Sequence, residues 1–304
     1  MAGPDEMTDV AGLPGSIATD LAERTGARVA AARRVSGGDI HSAWAVVLGD
    51  GTRLFVKSSD QTAAGLFAAE AEGLAWLGGF EAVAVPAVLA WRDRGDAGPG
   101  YLALEWIEPG HGGDPAAMGE AIGRLHANRL PAPGWHRGGF IGPLPQDNRP
   151  CDDWSTFWVE RRLRPMLART ASHFSGRDQE LFDAVCESTP ELIGSVDQRG
   201  HRGHLGPLHG DLWGGNAMFD TAGRPIVYDP AVYAGDPEVD VAMMTLFGGF
   251  GDACLAGWHG VLPAREGWQR RRALYQLWPL LVHVALFGGG YSHQALAAAR
   301  RVVG

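Results

Sequence analysis

The stretch His209-Gly-Asp-Leu-Trp-Gly-Gly-Asn216, followed thirteen residues later by Asp229-Pro230, constrains this chain more than any other. It sets Asp211 and Asn216 five residues apart and adds a third oxygen-bearing side chain, Asp229, at the end of an apolar run. Residues 217–228 read as strand, turn (Asp220-Thr-Ala-Gly-Arg224) and strand, and such a hairpin returns Asn216 and Asp229 to each other's side. The set suits phosphoryl transfer from ATP. Asp211 is the candidate to orient an acceptor hydroxyl and take its proton, while Asn216 and Asp229 hold Mg²⁺ against the phosphates. Magnesium prefers hard oxygen ligands and keeps several waters, so two protein ligands plus the nucleotide suffice. Taken alone, the Asp–Asn spacing also fits a polar turn before a strand in any α/β protein.

An independent signal lies upstream. Of 26 lysines and arginines, only Lys57 is a lysine. It ends Arg53-Leu-Phe-Val-Lys57, a short strand, where kinase-like folds place a phosphate-binding lysine. Arginine is bulkier and planar, a poor substitute for a compact ammonium on nucleotide phosphates. Coding bias explains the scarcity of lysine elsewhere. Residues 62–77 then predict a helix with Leu66, Glu70 and Leu74 on one face. An inward carboxylate needs a partner, and an ion pair between Lys57 and Glu70 supplies one.

Two further segments complete a candidate nucleotide site. Val35-Ser-Gly-Gly-Asp-Ile-His-Ser-Ala-Trp44 predicts a turn between strands, and amides at Gly37 and Gly38 could cover phosphates, although a plain hairpin loop looks the same. Tyr101-Leu-Ala-Leu-Glu-Trp-Ile107 predicts a strand running into a Pro/Gly-rich segment. The backbone at Glu105, Trp106 and Ile107 could meet an adenine edge there, as could an ordinary strand end.

The net charge of −9 argues against non-specific nucleic-acid binding, which needs a basic surface. The clusters Arg161-Arg162-Leu-Arg164 and Arg270-Arg271-Arg272 read as solvated helix faces. Three widely spaced cysteines (Cys151, Cys186, Cys254) suggest reduced thiols in a cytoplasmic protein. The N-terminus shows no signal peptide, and residues 273–287 are too short and polar to span a membrane, so no membrane partner is expected. Residues 1–15 read as a loose tail, 16–107 as an N-terminal nucleotide-binding lobe and 108–304 as a C-terminal helical lobe for catalysis and substrate.

Within the second lobe, helices are predicted over 115–128, 154–168 and 178–187, with two or three more after the hairpin. His126 reads as a packed histidine bonded to backbone. Residues 131–150 form a long irregular stretch. Trp213, two residues past Asp211, is the candidate to pack against substrate. The predicted fold is α+β and two-lobed, with a small β-rich lobe and a larger, mainly helical one.

His209-Gly-Asp-Leu-Trp-Gly-Gly-Asn216, Tyr228-Asp-Pro-Ala231 and Leu246-Phe-Gly-Gly-Phe250 together resemble the fructosamine kinase (ketosamine-3-kinase) family. So do Gly139-Phe140, Pro145-Gln146 with Asn148, Asp153-Trp154 with Phe157, and Leu274-Tyr-Gln-Leu277 with His283. The resemblance implies a protein-kinase-like fold, the group that includes aminoglycoside and choline kinases, and ATP- and Mg²⁺-dependent phosphorylation of the 3-hydroxyl of ketosamines (fructosamines or ribulosamines), a deglycation repair activity. It also implies Asp211 as base, Asn216 and Asp229 as metal ligands, Lys57 and Glu70 as the phosphate-binding pair, and residues 105–107 as the hinge. Some eukaryotic members carry a cysteine, linked to redox-controlled dimerisation, where this chain has Asp39. A related kinase acting on an aminoglycoside, amino alcohol or sugar shares the Asp…Asn…Asp set, and a non-catalytic nucleotide-binding regulator is a third reading.

Overall fold

The computed structural model describes residues 12–35, 42–61, 63–95, 98–193, 204–263 and 265–304. Gly37 and Gly38, the candidate phosphate-covering glycines, lie outside them, as do residues 1–11 of the expected tail. Leu13 is already buried.

Helix α1 (Gly15–Thr25) buries Ile17 and Leu21 and stops at Gly26, whose φ of 75° ends it in the left-handed region that glycine adopts without steric cost. Strands β1 (Val29–Arg34), β2 (Ser42–Leu48) and β3 (Arg53–Ser59) follow, then α2 (Leu66–Gly78), β4 (Val88–Arg92) and β5 (Gly100–Glu105). The five strands form one antiparallel sheet in the order β1-β2-β3-β5-β4. Side chains alternate across a strand, so on β3 Leu54 and Val56 enter the core shared with α1, while Phe55 and Lys57 face the other way.

Helix α2 starts later than the pattern predicted, because Gly65 takes a left-handed φ of 87° just before it. Glu70 is buried with Leu66 and Leu74, as the face predicts, but Phe67, Ala68, Ala69 and Ala71 are buried too. The helix is wedged between the sheet and the second lobe, where a β-carbon at Gly73 would lie 3.3 Å from Val232.

The second lobe opens with α3 (Pro115–His126). The Asp114 carboxylate caps it, accepting the Ala116 N–H at 2.9 Å, and Pro115 sits in the first turn. The stretch expected to be irregular contains a small hairpin, β6 (Gly139–Ile141) and β7 (Leu144–Gln146), turned by Gly142 at φ 53°. Next come α4 (Trp154–Trp158), a π-helical turn over Val159–Leu163, and α5 (Arg164–Thr170), where one uninterrupted helix was predicted. Helix α6 (Gly176–Ile193) runs beyond the predicted bounds and contains Pro190.

Strands β8 (Gly206–Leu208), β9 (Ala217–Phe219), β10 (Pro225–Val227) and β11 (Tyr233–Gly235) carry the polar motif, with β9 pairing β10 and β8 pairing β11. Helices α7 (Glu238–Met244), α8 (Asp252–Val261), α9 (Trp268–Phe287) and α10 (Gly290–Val303) complete the fold. The architecture is the expected α+β one, a β-rich lobe ahead of a larger helical lobe. None of the described helices is long and apolar enough to cross a membrane.

Two expectations about side chains also fail. Arg162 is fully buried and Arg271 is 9 % exposed, so neither lies on a solvated face. Arg271 is drawn inward by Glu238 at 2.6 Å, and Arg162 by aromatic rings and carbonyl oxygens. His126 is buried, but its ring bonds side chains rather than backbone: Nε2 lies 3.0 Å from Asp240 and Nδ1 accepts the Trp258 indole N–H at 2.9 Å.

Candidate active site

The two lobes enclose a cavity of about 1000 Å³. A pocket of that size with a few convergent polar groups is where a small ligand is expected. Lys57 on β3 and Glu70 on α2 meet there, with Nζ 2.5 Å from Oε1, and Nζ is also 2.5 Å from Oδ1 of Asp229. One ammonium thus serves two carboxylates. Burial opposes its charge, but Asp229 and Glu70 overcome this and hold the Lys57 pKa above its ordinary value. Burial pushes Glu70 up, against the attraction of Lys57. Asp229 stays below the usual carboxylate range because Lys57 outweighs its desolvation. The Asp229 side chain keeps 43 % of its surface exposed, toward the cavity, so the ion pair with Lys57 leaves part of it accessible.

Asp229 takes a left-handed φ of 56°, uncommon for a residue with a side chain. Aspartate tolerates it better than most. The neighbouring backbone pins it on both sides: the Tyr228 N–H donates to the Asn216 carbonyl at 3.0 Å and the Ala231 N–H to His209 at 2.8 Å. The β9–β10 hairpin therefore returns Asp229 to the loop that carries Asn216.

On that loop the Asn216 amide donates from Nδ2 to the Asp211 carbonyl (2.8 Å) and to its carboxylate Oδ2 (3.1 Å). Both bonds use its Nδ2, and its Oδ1 could serve a cation together with the Asp229 carboxylate. An amide oxygen and a carboxylate fit the hard-oxygen preference of magnesium. Burial raises the Asp211 carboxyl to about 7, with Asn216 pulling it down and Asp229 and Asp240 adding to the rise.

Asp240 was not singled out from the sequence, yet it holds the loop in place. Its carboxylate accepts the His209 N–H at 2.7 Å, the Gly210 N–H at 2.9 Å and the His126 ring at 3.0 Å. The His209 ring donates from Nε2 to the Tyr228 carbonyl (2.9 Å) and accepts the Asp211 N–H at Nδ1 (3.3 Å). A chain of bonds therefore runs from α7 through His209 to Asp211. The available signal was a charged residue inside Val239-Asp-Val-Ala-Met-Met244, because a carboxylate in an apolar run needs buried donors.

Glu105, Trp106 and Ile107 line the cavity where β5 leaves the sheet. The Trp106 N–H donates to the Arg53 carbonyl at 3.1 Å, and the Arg53 guanidinium covers its ring at 4.9 Å. Trp213 is 40 % exposed and lines the cavity beyond Asp211. A β-carbon at Gly215 would overlap its ring, so glycine there lets the indole fold back over the loop. Phe247, His283, Phe287 and Tyr291 add an aromatic wall, with His283 4.5–5.6 Å from the other three rings. The sequence reading named Phe247 and His283 only within family motifs and did not bring the four rings together.

The fructosamine kinase family profile matches residues 15–303. A probable ketoamine kinase of Synechocystis is 37 % identical over 288 residues, covering 92 % of this chain and 93 % of the relative. A chloroplastic protein-ribulosamine 3-kinase of Oryza sativa is 30 % identical over 283 residues, covering 91 % and 80 %. Among solved structures, one assigned to a fructosamine-3-kinase of Thermobifida fusca superposes with a TM-score of 0.84 at 35 % identity, covering 96 % of this chain and 99 % of that one.

Proposed function

The chain belongs to the fructosamine kinase family, and we propose that Asp211 is the base in direct phosphoryl transfer from ATP to the 3-hydroxyl of its ketosamine substrate. The enzyme is a phosphotransferase with an alcohol group as acceptor, a ketosamine kinase. The observation that carries the assignment is the meeting of Lys57, Glu70 and Asp229 within 2.5 Å contacts, beside the bonded pair of Asp211 and Asn216.

Each residue has a separate task. Lys57, held by Glu70, meets the phosphates with a compact positive charge. Asn216 Oδ1 and the Asp229 carboxylate would hold Mg²⁺, which would supply positive charge to offset that of the transferring group. The adenine edge falls to the Glu105 carbonyl and the Ile107 N–H, because Trp106 already donates its N–H to Arg53. Residues 16–107 thus make the nucleotide-binding lobe, and 108–304 the lobe for catalysis and acceptor.

Asp211 orients the sugar hydroxyl and accepts its proton late in an in-line transfer, with no phospho-enzyme. A carboxyl raised to about 7 by burial is suited to take that proton near neutral pH. Trp213 offers a flat apolar face to the sugar, and the wall of Phe247, His283, Phe287 and Tyr291 receives the amine substituent.

The test is ATP consumption with a panel of ribulosamines, fructosamines and aminoglycosides, wild type beside Asp211→Asn. Turnover on a ketosamine should fall by about two to four orders of magnitude in the variant, the scale of a positioned base, while ATP still binds. Wild-type turnover in the variant would remove Asp211 from the reaction.

A further inference from the structure

A second cavity, of about 640 Å³, adjoins the first across β6, whose residues Gly139, Phe140 and Ile141 line both. Its wall carries Arg137, Arg161, Arg162 and Arg169 against a single carboxylate, Asp147. In a chain of net charge −9, this concavity runs against the overall balance.

The one carboxylate is already engaged. Asp147 accepts from Arg149 at 2.7 Å and pairs with Arg161 at 3.0 Å. Arg137 is taken by Glu72 at 2.6 Å. Arg162 has no direct ion pair among the described residues, only the more distant attraction of Asp147. It is fully buried, yet none of the ion pairs among the described residues includes it. Its guanidinium donates to the carbonyls of Asp147 (2.9 Å) and Arg161 (3.1 Å) and to Asn148 Oδ1 (2.6 Å), and rests 4.1–5.5 Å from the rings of Tyr233, Phe157 and Trp278. Its Nε, and that of Arg161, are buried without an acceptor.

Carbonyls and ring faces soften a buried cation but do not neutralise it, and the Asp147 carboxylate that attracts Arg162 is shared with Arg149 and Arg161, so removal from water leaves this charge under-compensated. At the rim, the Arg169 guanidinium is exposed and takes part in no hydrogen bond or ion pair among the described residues. Guanidinium forks match the planar or tetrahedral oxygens of carboxylate and phosphate, and they bind both through paired N–H donors.

We propose that the cavity walled by Arg137, Arg161, Arg162 and Arg169 binds a small oxyanion, a phosphate or carboxylate group, outside the catalytic centre. Arg162 is the buried anchor, and Arg161 and Arg169 close on the anion from the rim.

The experiment is calorimetric titration of inorganic phosphate, and separately of citrate, at low ionic strength. The protein is first saturated with magnesium and a non-hydrolysable ATP analogue, so that the nucleotide phosphates fill the catalytic centre. Saturable binding of either anion, weakened tenfold or more by Arg161→Gln with Arg169→Gln, supports the site, and the anion that binds names the chemistry. Arg162 stays in place because it is part of the core. Arg169→Glu alone, at an exposed and unpartnered position, gives the same test in a variant that leaves packing untouched. No saturable binding of either anion, or equal affinity in wild type and variants, overturns the proposal.

Discussion

Gly214 and Gly249 cross so closely that a β-carbon on Gly249 would lie 2.5 Å from the Gly214 α-carbon, and one on Gly214 would lie 2.6 Å from the Gly249 α-carbon. Gly214 sits between Asp211 and Asn216, so the Phe-Gly-Gly-Phe segment is a floor pressed against the loop that carries both. Gly249 also holds φ 95°, a conformation that side chains disfavour.

Gly249→Ala is therefore expected to cost about 1–3 kcal/mol of stability and to lower turnover by displacing the loop. Gly251→Ala is the control, since nothing lies within 4 Å of its added β-carbon. Thermal unfolding and initial rates of the two variants, side by side, check this. Equal melting temperatures would show that the crossing yields without strain.

Lys57→Arg keeps the positive charge and changes its shape. The ammonium lies 2.5 Å from both Glu70 and Asp229, a space that a planar fork does not share. The expected outcome is a rise in KM for ATP and a fall in kcat of at least about tenfold, or roughly 1.4 kcal/mol. Steady-state kinetics with varied ATP decide it, and unchanged constants would take Lys57 away from the phosphates.

Acid should loosen the loop through His209. Burial lowers its pKa below the ordinary 6.5, and the carboxylate of Asp240 only partly opposes this. The unfolded chain then binds a proton that the folded one refuses, so this stability is fully present above pH 6.5 and is lost as pH falls below it. A second proton would go to Nδ1, the atom that accepts the Asp211 N–H. From pH 7 to pH 5 the wild type should lose melting temperature relative to His209→Gln, because the raised carboxyls of Asp211 and Glu70 act in the opposite sense but equally in both proteins. Identical slopes would place the titration elsewhere.

Trp213→Ala and Phe287→Ala separate sugar from substituent. Both side chains are exposed, at 40 % and 60 %, so neither truncation empties a core. Trp213→Ala should raise KM for every ketosamine by about tenfold, the order of a lost aromatic contact, without moving KM for ATP. Phe287→Ala should act mainly on substrates with bulky apolar amines. Steady-state kinetics with varied ketosamine provide the check, and a matching rise in KM for ATP would mean that the loop itself had moved.

What could be read from the sequence was whatever local spacing or the identity of a lone residue determines. The hairpin between Asn216 and Asp229 follows from turn residues between two short apolar runs. The meeting of Lys57 and Glu70 follows from a strand joined to a helix by a short link, where a helical period turns one carboxylate inward. The two-lobed α+β architecture follows from strands first and helices afterwards.

Tertiary structure alone decided the partners far along the chain. Asp240 reaches His126 and the backbone of His209 and Gly210 across separations of 114, 31 and 30 residues. Arg162 looked like one more solvated arginine until three rings and Asn148 closed over it. The crossing of Gly214 with Gly249 and the aromatic wall of Phe247, His283, Phe287 and Tyr291 arise in the same way. Periodicity specifies which face of an element turns inward, but the groups that face meets depend on how lobes and helices pack. A buried charge or a close backbone approach takes its meaning from those neighbours.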